Sequence, residues 1–289
     1  MLYYIIKLIG SIPFRMLYGL ADALFVPFYY VVRYRRRIVR KNLTESFPNK
    51  SQREIVKIEK RFYHSFIYVA LESCKLLTLT EAEMKCRMRF TNAEWVNALL
   101  ADGRSVALYL GHFGNWEWIS SLGLWIEPEA TKAQIYHTLR NKKMDRLMRQ
   151  LRERMGHNVC VEMRQTVRFM AEAKQKGIPA IIGFIADQSP KRRVAKHFIT
   201  FLNHNVPVLT GTEKTTKHFD YVPVFVRVVR TKRGFYEAEF VPMLKADETD
   251  VTQVPDFELT SRYFALLETE ITTHPELYLW THNRFKYSK

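Results

Sequence analysis

Apolar positions after residue 100 follow two alternating patterns. Short apolar runs bounded by polar turns predict strands, and residues 105–110 (SVALYL) and 179–186 (PAIIGFIA) are apolar enough to be buried on both faces. Further strands are predicted at residues 133–136, 221–229 and 236–242, and helices near residues 115–125, 141–155, 162–176, 209–219 and 257–273. Strands alternating with helices predict an α/β fold with a largely parallel central sheet flanked by helices.

A long helix is predicted ahead of these strands. Residues 42–50 have the character of a loop, and apolar residues at helical spacing then continue to about Leu77. Ser51 and Glu54 have the spacing of a capping box, in which each side chain bonds to the other residue's backbone N–H. We therefore expect the helix to begin at Ser51.

The first 41 residues have a different pattern. Residues 2–32 are apolar and aromatic, interrupted only by Lys7, Arg15 and Asp22, and residues 33–41, here called the basic collar, are rich in arginine. A transmembrane helix needs about 20 consecutive apolar residues, so this stretch predicts a marginal span or a helix lying in the membrane interface. The alternative is that residues 14–32 form an ordinary core helix. The charges follow the apolar run, whereas in a cleaved signal peptide they precede it.

Two regions are therefore expected. Residues 1–41 would form a hydrophobic anchor and basic collar, and residues 42–289 a single catalytic domain, because no repeat or flexible linker divides them. Under the positive-inside rule the collar would stay cytoplasmic and attract anionic lipids.

The charge balance narrows the class of partner. There are 45 Lys and Arg residues against 29 Asp and Glu residues, which gives a net charge of +16. This favours an anionic membrane surface, a phosphorylated lipid, an acidic carrier protein or nucleic acid. No recognised nucleic-acid-binding motif accompanies the charge, so no nucleic-acid partner is expected. The 3 cysteines are widely spaced, which suggests neither a disulfide framework nor a zinc site.

The sharpest chemical signal follows the first buried strand, where residues 111–117 read GHFGNWE. Ligands of open α/β sheets gather at the carboxyl ends of strands, so His112 lies where chemistry is expected. On an ideal helix His112 and Glu117 would not share a face, and they can meet only across a turn. Gly114 supplies backbone freedom for that turn, and Asn115 can cap a helix beginning at Trp116. Glu117 would then return to the imidazole, fix its tautomer and leave the other ring nitrogen to take a proton from a hydroxyl.

The sequence resembles the lipid A biosynthesis acyltransferases, the late lauroyl and myristoyl transferases within the wider glycerolipid-acyltransferase-like superfamily. The resemblance covers nearly the whole chain. Four blocks carry it: residues 34–43 with 46–48 (YRRRIVRKNL and SFP), 111–117 (GHFGNWE), 151–156 with 187–190 (LRERMG and DQSP), and 275–286 (PELYLWTHNRFK). One departure lies at residues 136–138, where YHT replaces the Tyr-Arg-Pro that family members often carry.

The resemblance implies roles for particular residues. His112 would be the general base and Glu117 its partner. Arg152 and Arg154 would hold the acceptor's phosphate or the donor's carbonyl, although a solvated helix face is the alternative for both. Asp187 and Gln188 would shape the floor of the active site, or else form a structural turn, while Trp280 and His282 are expected to support the site without taking part in catalysis.

The same resemblance implies direct transfer of a fatty acyl group from acyl-acyl carrier protein, or from acyl-CoA, to a hydroxyl of a lipid A precursor of the Kdo-lipid IVA type. The oxyanion would be stabilised by backbone N–H groups near Gly114 to Trp116 or by an arginine. No metal or other cofactor is expected. The enzyme would work on the cytoplasmic face of the inner membrane, in lipopolysaccharide biosynthesis.

Three alternatives remain open at this point. The acceptor could be an amino-acid-linked lipid or a mannosylated phosphoinositide. The protein could be a thioesterase-like hydrolase that needs no acceptor. It could also be a basic membrane-binding protein or nucleic-acid-binding protein without enzymatic activity.

Overall fold

The computed structural model describes residues 1–288, and of Val194 the backbone alone. The helices are α1 (Leu2–Ser11), α2 (Phe14–Val26), α3 (Arg36–Ser46), α4 (Gln52–Lys75), α5 (Glu81–Arg87), α6 (Ala93–Ala101), α7 (Lys142–Glu153), α8 (Thr166–Gln175), α9 (Gly211–Phe219) and α10 (Glu258–Thr273). The strands are β1 (Met88–Thr91), β2 (Val106–Leu110), β3 (Thr131–Tyr136), β4 (Val159–Glu162), β5 (Ala180–Ile185), β6 (His197–Phe201), β7 (His204–Val208), β8 (Val222–Lys232) and β9 (Phe235–Pro242).

A seven-stranded sheet forms the centre of the fold, with strand order β1-β9-β8-β2-β5-β3-β4. Every neighbouring pair is parallel except β8 and β9, which are antiparallel. All five residues of β2 are buried, as expected for a central parallel strand with both faces covered. The predicted α/β fold with a largely parallel sheet is confirmed.

The long helix α4 begins where the sequence predicted. Ser51 Oγ accepts from the backbone N–H of Glu54, and the Glu54 carboxylate accepts from the backbone N–H of Ser51. The predicted helix near residues 115–125 differs in kind, because only a 3₁₀ segment, Trp118–Leu124, forms there. The short strands β1 and β4 and the β6–β7 hairpin, with four or five residues in each strand, were not predicted.

The N-terminal helices α1 and α2 pack against α4. They are separated by Ile12 and Pro13; Ile12 is extended, as a residue before proline prefers. Within residues 1–288 no single helix is both long and apolar enough to cross a bilayer, although α1 and the helical stretch Phe14–Val32, bent by 114° at their junction, satisfy both conditions together.

The two faces of these helices differ. Leu17, Ala21 and Phe25 on α2 are buried, while an outer set of apolar side chains is exposed. The exposed set includes Tyr4, Leu8, Met16, Leu20 and Leu24. The N-terminal region thus contributes to the core on one side and presents apolar surface on the other.

Part of the basic collar is tied to the folded domain. Arg36 and Arg40 both pair with Glu59, a fully buried carboxylate on α4. Arg35 donates to the carbonyl of Thr281 at 3.0 Å. A buried carboxylate requires such partners, so these arginines have a structural role besides any contact with lipid.

Candidate active site

His112 and Asp187 follow two neighbouring parallel strands. In the register of β2 and β5, Leu110 lies opposite Ile185, so the residues two positions beyond each strand end also lie side by side. The backbone N–H of His112 donates to Asp187 Oδ2 at 3.2 Å, and His112 Nδ1 lies 2.6 Å from Asp187 Oδ1. The sheet register thus places a carboxylate on the imidazole.

The environment of Asp187 favours its charged form. Its side chain is 2% exposed, and burial alone would raise the pKa of the carboxyl. The charge and hydrogen bonds of His112, together with the charge of Arg284, outweigh burial and hold the pKa of Asp187 below its ordinary value. An ionised Asp187 accepts a hydrogen bond from the Nδ1–H group, which places the lone pair of the neutral His112 ring on Nε2.

The second ring nitrogen is the chemically available one. His112 Nε2 lies 3.2 Å from the side-chain amide nitrogen of Gln188, which donates to it in this tautomer. The imidazole side chain is 18% exposed, and the ring of Trp116 packs edge-on against it at 5.5 Å. A base that is fixed on one nitrogen and partly accessible on the other is suited to removing a proton from a hydroxyl.

The predicted pairing of Glu117 with His112 is wrong. Both carboxylate oxygens of Glu117 accept from Arg152 instead, at 2.8 Å from Nε and 2.7 Å from Nη2. Asn115 Oδ1 accepts from the backbone N–H of Trp118, as the predicted cap would. The helical segment that follows is, however, a 3₁₀ helix that begins at Trp118, and not an α-helix from Trp116. The carboxylate of Glu117 therefore turns towards α7, which carries Arg152.

The two arginines predicted to bind substrate have different surroundings. Arg152 is held by the bidentate pair with Glu117, and its charge lies in a mostly buried position. Arg154 donates through Nη1 to the carbonyls of Leu76 and Leu79, at 2.9 and 2.7 Å. Arg154 thus directly follows α7 and stays exposed, as the solvated alternative expected, while its guanidinium caps the end of α4.

The loop between β2 and the 3₁₀ segment is held by a buried acid that the sequence analysis missed. Glu72 on α4 accepts from Asn115 Nδ2 at 2.8 Å, from the Tyr236 hydroxyl at 2.8 Å and from the Tyr18 hydroxyl at 2.7 Å. Burial raises the pKa of Glu72, and these three hydrogen bonds oppose the rise. The sequence did contain a sign that Glu72 is buried: it lies on the apolar face of the predicted helix, three residues after Val69.

The C-terminal segment pairs with the same loop. Gly114 N–H donates to the carbonyl of Leu277 at 3.0 Å, and Leu279 N–H donates to that of His112 at 3.1 Å. Trp280 is fully buried, and His282 Nε2 accepts from the backbone N–H of Ser189. Trp280 and His282 therefore support the site, as predicted.

Comparison with known proteins identifies the class of protein to which this site belongs. The chain matches the family model of the bacterial lipid A biosynthesis acyltransferases over residues 1–287. It belongs to that family and is an acyltransferase of lipid A biosynthesis.

Two curated relatives are similar over most of their length. The chain is 25% identical over 254 residues to the lipid A biosynthesis palmitoleoyltransferase of Escherichia coli strain K12, covering 87% of this chain and 79% of the relative. The same identity and coverage relate it to the lipid A biosynthesis acyltransferase of Shigella flexneri.

Proposed function

We propose that this protein transfers a fatty acyl group from acyl-acyl carrier protein to a hydroxyl of a lipid A precursor of the Kdo-lipid IVA type, with His112 as the general base. The contact between His112 Nδ1 and Asp187 carries the proposal, because it orients the ring and supports the imidazolium that forms during proton transfer.

In the proposed reaction, Nε2 of His112 takes the proton of the acceptor hydroxyl. The hydroxyl oxygen forms a bond to the thioester carbonyl carbon, the carbon–sulfur bond breaks, and the imidazolium returns its proton to the departing thiolate. The reaction yields an ester and a free thiol. For the hydroxyl to reach Nε2, the Gln188 amide must give up its contact with that nitrogen. Gln188 therefore acts as a substrate-contacting residue in this proposal.

Glu117 and Arg152 would act together. The bidentate pair fixes the planar guanidinium in one orientation, where it can bind the acceptor's phosphate or stabilise the oxyanion. The N–H of Gly114 is already used by Leu277, which leaves the N–H groups of Asn115 and Trp116 as the backbone candidates for an oxyanion hole. Glu117 thus stays in the proposed active centre as the partner of Arg152, and Arg154 contributes by holding the end of α4.

Charge and surface pattern support the proposed partners and location. A net charge of +16 suits an acidic carrier protein and an anionic membrane. The exposed apolar face of α1 and α2 suits burial at the boundary between lipid headgroups and acyl chains. We place the enzyme at the cytoplasmic face of the inner membrane, with residues 1–41 as the membrane-associating region and residues 42–289 as the catalytic domain. A glycerolipid-acyltransferase-like fold for that domain is part of the same proposal.

Purified full-length protein, incubated with isotopically labelled acyl-acyl carrier protein and Kdo-lipid IVA, tests the proposal by mass analysis of the lipid. The expected product is the acceptor with one added acyl chain, and acyl-CoA in place of the carrier protein should give a slower reaction. Release of labelled fatty acid without acceptor acylation would instead identify a hydrolase. Acylation of a different lipid alone would reject the proposed acceptor.

A further inference from the structure

An open pocket of about 580 Å³ lies apart from His112 and Asp187. It is lined by residues of α2, α4, the β8–β9 hairpin and the turn that precedes Leu277. Pockets that bind small ligands and headgroups commonly measure about 300 to 1,000 Å³, so this pocket is large enough for one. Its lining is mainly polar and charged: Asp22, Arg61, His64, Ser65, Tyr68, Arg230, Arg233 and Glu276.

The arginines of this pocket exceed its acids. Arg233 is paired with Asp22 at 3.0 Å, but Arg230 donates through Nη1 to the neutral hydroxyl of Ser65 at 2.9 Å. Arg61 makes no ion pair within residues 1–288 and is exposed. Glu276 offsets one of these two charges, so the lining of the pocket keeps a positive excess.

His64 lies in the same wall beside Asp22. Its Nδ1 is buried, lies 3.6 Å from Asp22 Oδ1 and makes no hydrogen bond among the described residues, and its ring stacks on Phe25. His64 therefore shapes the wall, and the arginines are the donors that a ligand can reach.

The pocket borders the loop that carries the proposed base. A Cβ atom at Gly114 would lie 2.8 Å from Val228 Cγ1, and Arg230 follows Val228 by two residues, about 7 Å along the strand. On the other side, Glu276 immediately precedes Leu277, whose carbonyl accepts from Gly114. The pocket thus lies between this loop and α2, whose outer face carries exposed apolar side chains.

We propose that this pocket binds the phosphate group of a membrane lipid, with Arg61 and Arg230 as its principal donors. Guanidinium groups present several N–H donors in a planar fork that matches phosphate oxygens. An exposed apolar residue, Val26, lies about one helical turn beyond Asp22 on the same side of α2. This favours a lipid over a soluble phosphate, because acyl chains attached to a phosphate bound here can lie against it. The proposed site does not depend on the proposed acyl transfer, because the lipid that binds there need not be the acyl acceptor.

Calorimetric titration of the full-length protein in neutral detergent micelles tests the site. The probes are phosphatidic acid, a fatty-acid anion that carries charge without phosphate, and inorganic phosphate. Arg61→Gln and Arg230→Gln should each weaken phosphatidic acid binding roughly tenfold, the equivalent of one charge-assisted hydrogen bond. Arg53→Gln, which removes an exposed arginine near the start of α4 outside the pocket, should change it by less than about twofold.

Three results would overturn the proposal. Equal losses in Arg53→Gln and Arg61→Gln would show that net charge alone attracts the lipid. A fatty-acid anion binding as tightly as phosphatidic acid would remove the need for a phosphate, and inorganic phosphate binding as tightly would remove the need for a lipid. Arg61→Gln is the decisive variant, because Arg61 has no ion-pair partner among the described residues whose loss could unfold the chain, and circular dichroism checks that its fold is unchanged.

Discussion

At the scale of single residues, the site depends on how two carboxylates are used. Asp187 accepts from both the backbone and the ring of His112, whereas both oxygens of Glu117 are occupied by Arg152. The bidentate pair turns the Glu117 carboxylate towards α7, and no hydrogen bond joins it to His112 among the described residues. Asp187 therefore pairs with His112 and Glu117 with Arg152, a pairing that the five-residue spacing of His112 and Glu117 could not reveal.

The Glu117–Arg152 pair leads to a stability prediction. Glu117→Gln leaves a mostly buried guanidinium without its counter-ion and should lower the free energy of unfolding by about 2 to 4 kcal/mol, because an uncompensated buried charge is costly. The double variant Glu117→Gln/Arg152→Gln should recover part of that loss. Urea unfolding of the two single variants and the double variant measures the coupling. Additive losses would mean that the two side chains do not stabilise one another.

His282 gives a prediction for pH dependence. Burial, reinforced by the positive charges of its surroundings, lowers the pKa of His282 from 6.5 to about 4, although Asp187 opposes the shift. Between about pH 6.5 and 4 the unfolded chain binds a proton here that the folded chain does not, so stability should fall as the pH falls through this range. His282→Gln can still accept from Ser189 N–H and should flatten the dependence in urea unfolding at pH 7, 6 and 5. An unchanged slope would exclude His282 as its source.

At the scale of elements, the sequence predicted the type of the long helices and of the two buried strands, together with the capping box of α4. It could not predict which strands are neighbours. Both the strand before His112 and the strand before Asp187 were recognised as buried, yet 69 residues of intervening chain separate β2 from β5. The pairing of His112 with Asp187 follows from sheet order and register, which no local pattern contains.

The loop after β2 leads to a prediction about one glycine. Gly114 has φ +60°, and a Cβ there would meet Val228 Cγ1 at 2.8 Å. Gly114→Ala should therefore lower the free energy of unfolding by about 1 to 3 kcal/mol and slow acyl transfer, because left-handed backbone is unfavourable for alanine and the loop holds His112.

Gly19 is the matched control. It lies in α2 with open space around its Cβ position, so Gly19→Ala should leave stability unchanged or raise it by up to about 1 kcal/mol. Differential scanning calorimetry compares the two variants. Equal stability of Gly114→Ala and the wild type would mean that the loop does not need its left-handed turn.

At the scale of the whole molecule, the apolar surface is concentrated at the N-terminal end. Leu8 is 71% exposed on α1 and Leu24 is 39% exposed on α2. Leu8→Glu/Leu24→Glu should reduce partitioning into anionic vesicles by more than about tenfold, since each leucine contributes about 1.5 to 3 kcal/mol when fully buried in an apolar phase. Co-sedimentation with vesicles provides the measurement.

Val167→Glu is the control for this comparison, because Val167 is a similarly exposed apolar residue on α8. We expect it to partition like the wild type. If Val167→Glu reduced vesicle binding as much as the double variant Leu8→Glu/Leu24→Glu, the added negative charge would account for the loss. The apolar face of α1 and α2 would then have no special role.

The most direct test of the account is the single-turnover rate of acyl transfer to Kdo-lipid IVA in the Asp187→Asn variant. Asparagine lacks the charge that supports a protonated His112, so the rate should fall by about 10² to 10⁴, as it should in His112→Ala. Asp247→Asn, which changes an exposed acid, should react at the wild-type rate. A folded Asp187→Asn protein that transfers the acyl group as fast as the wild type would contradict the proposed His112–Asp187 proton relay.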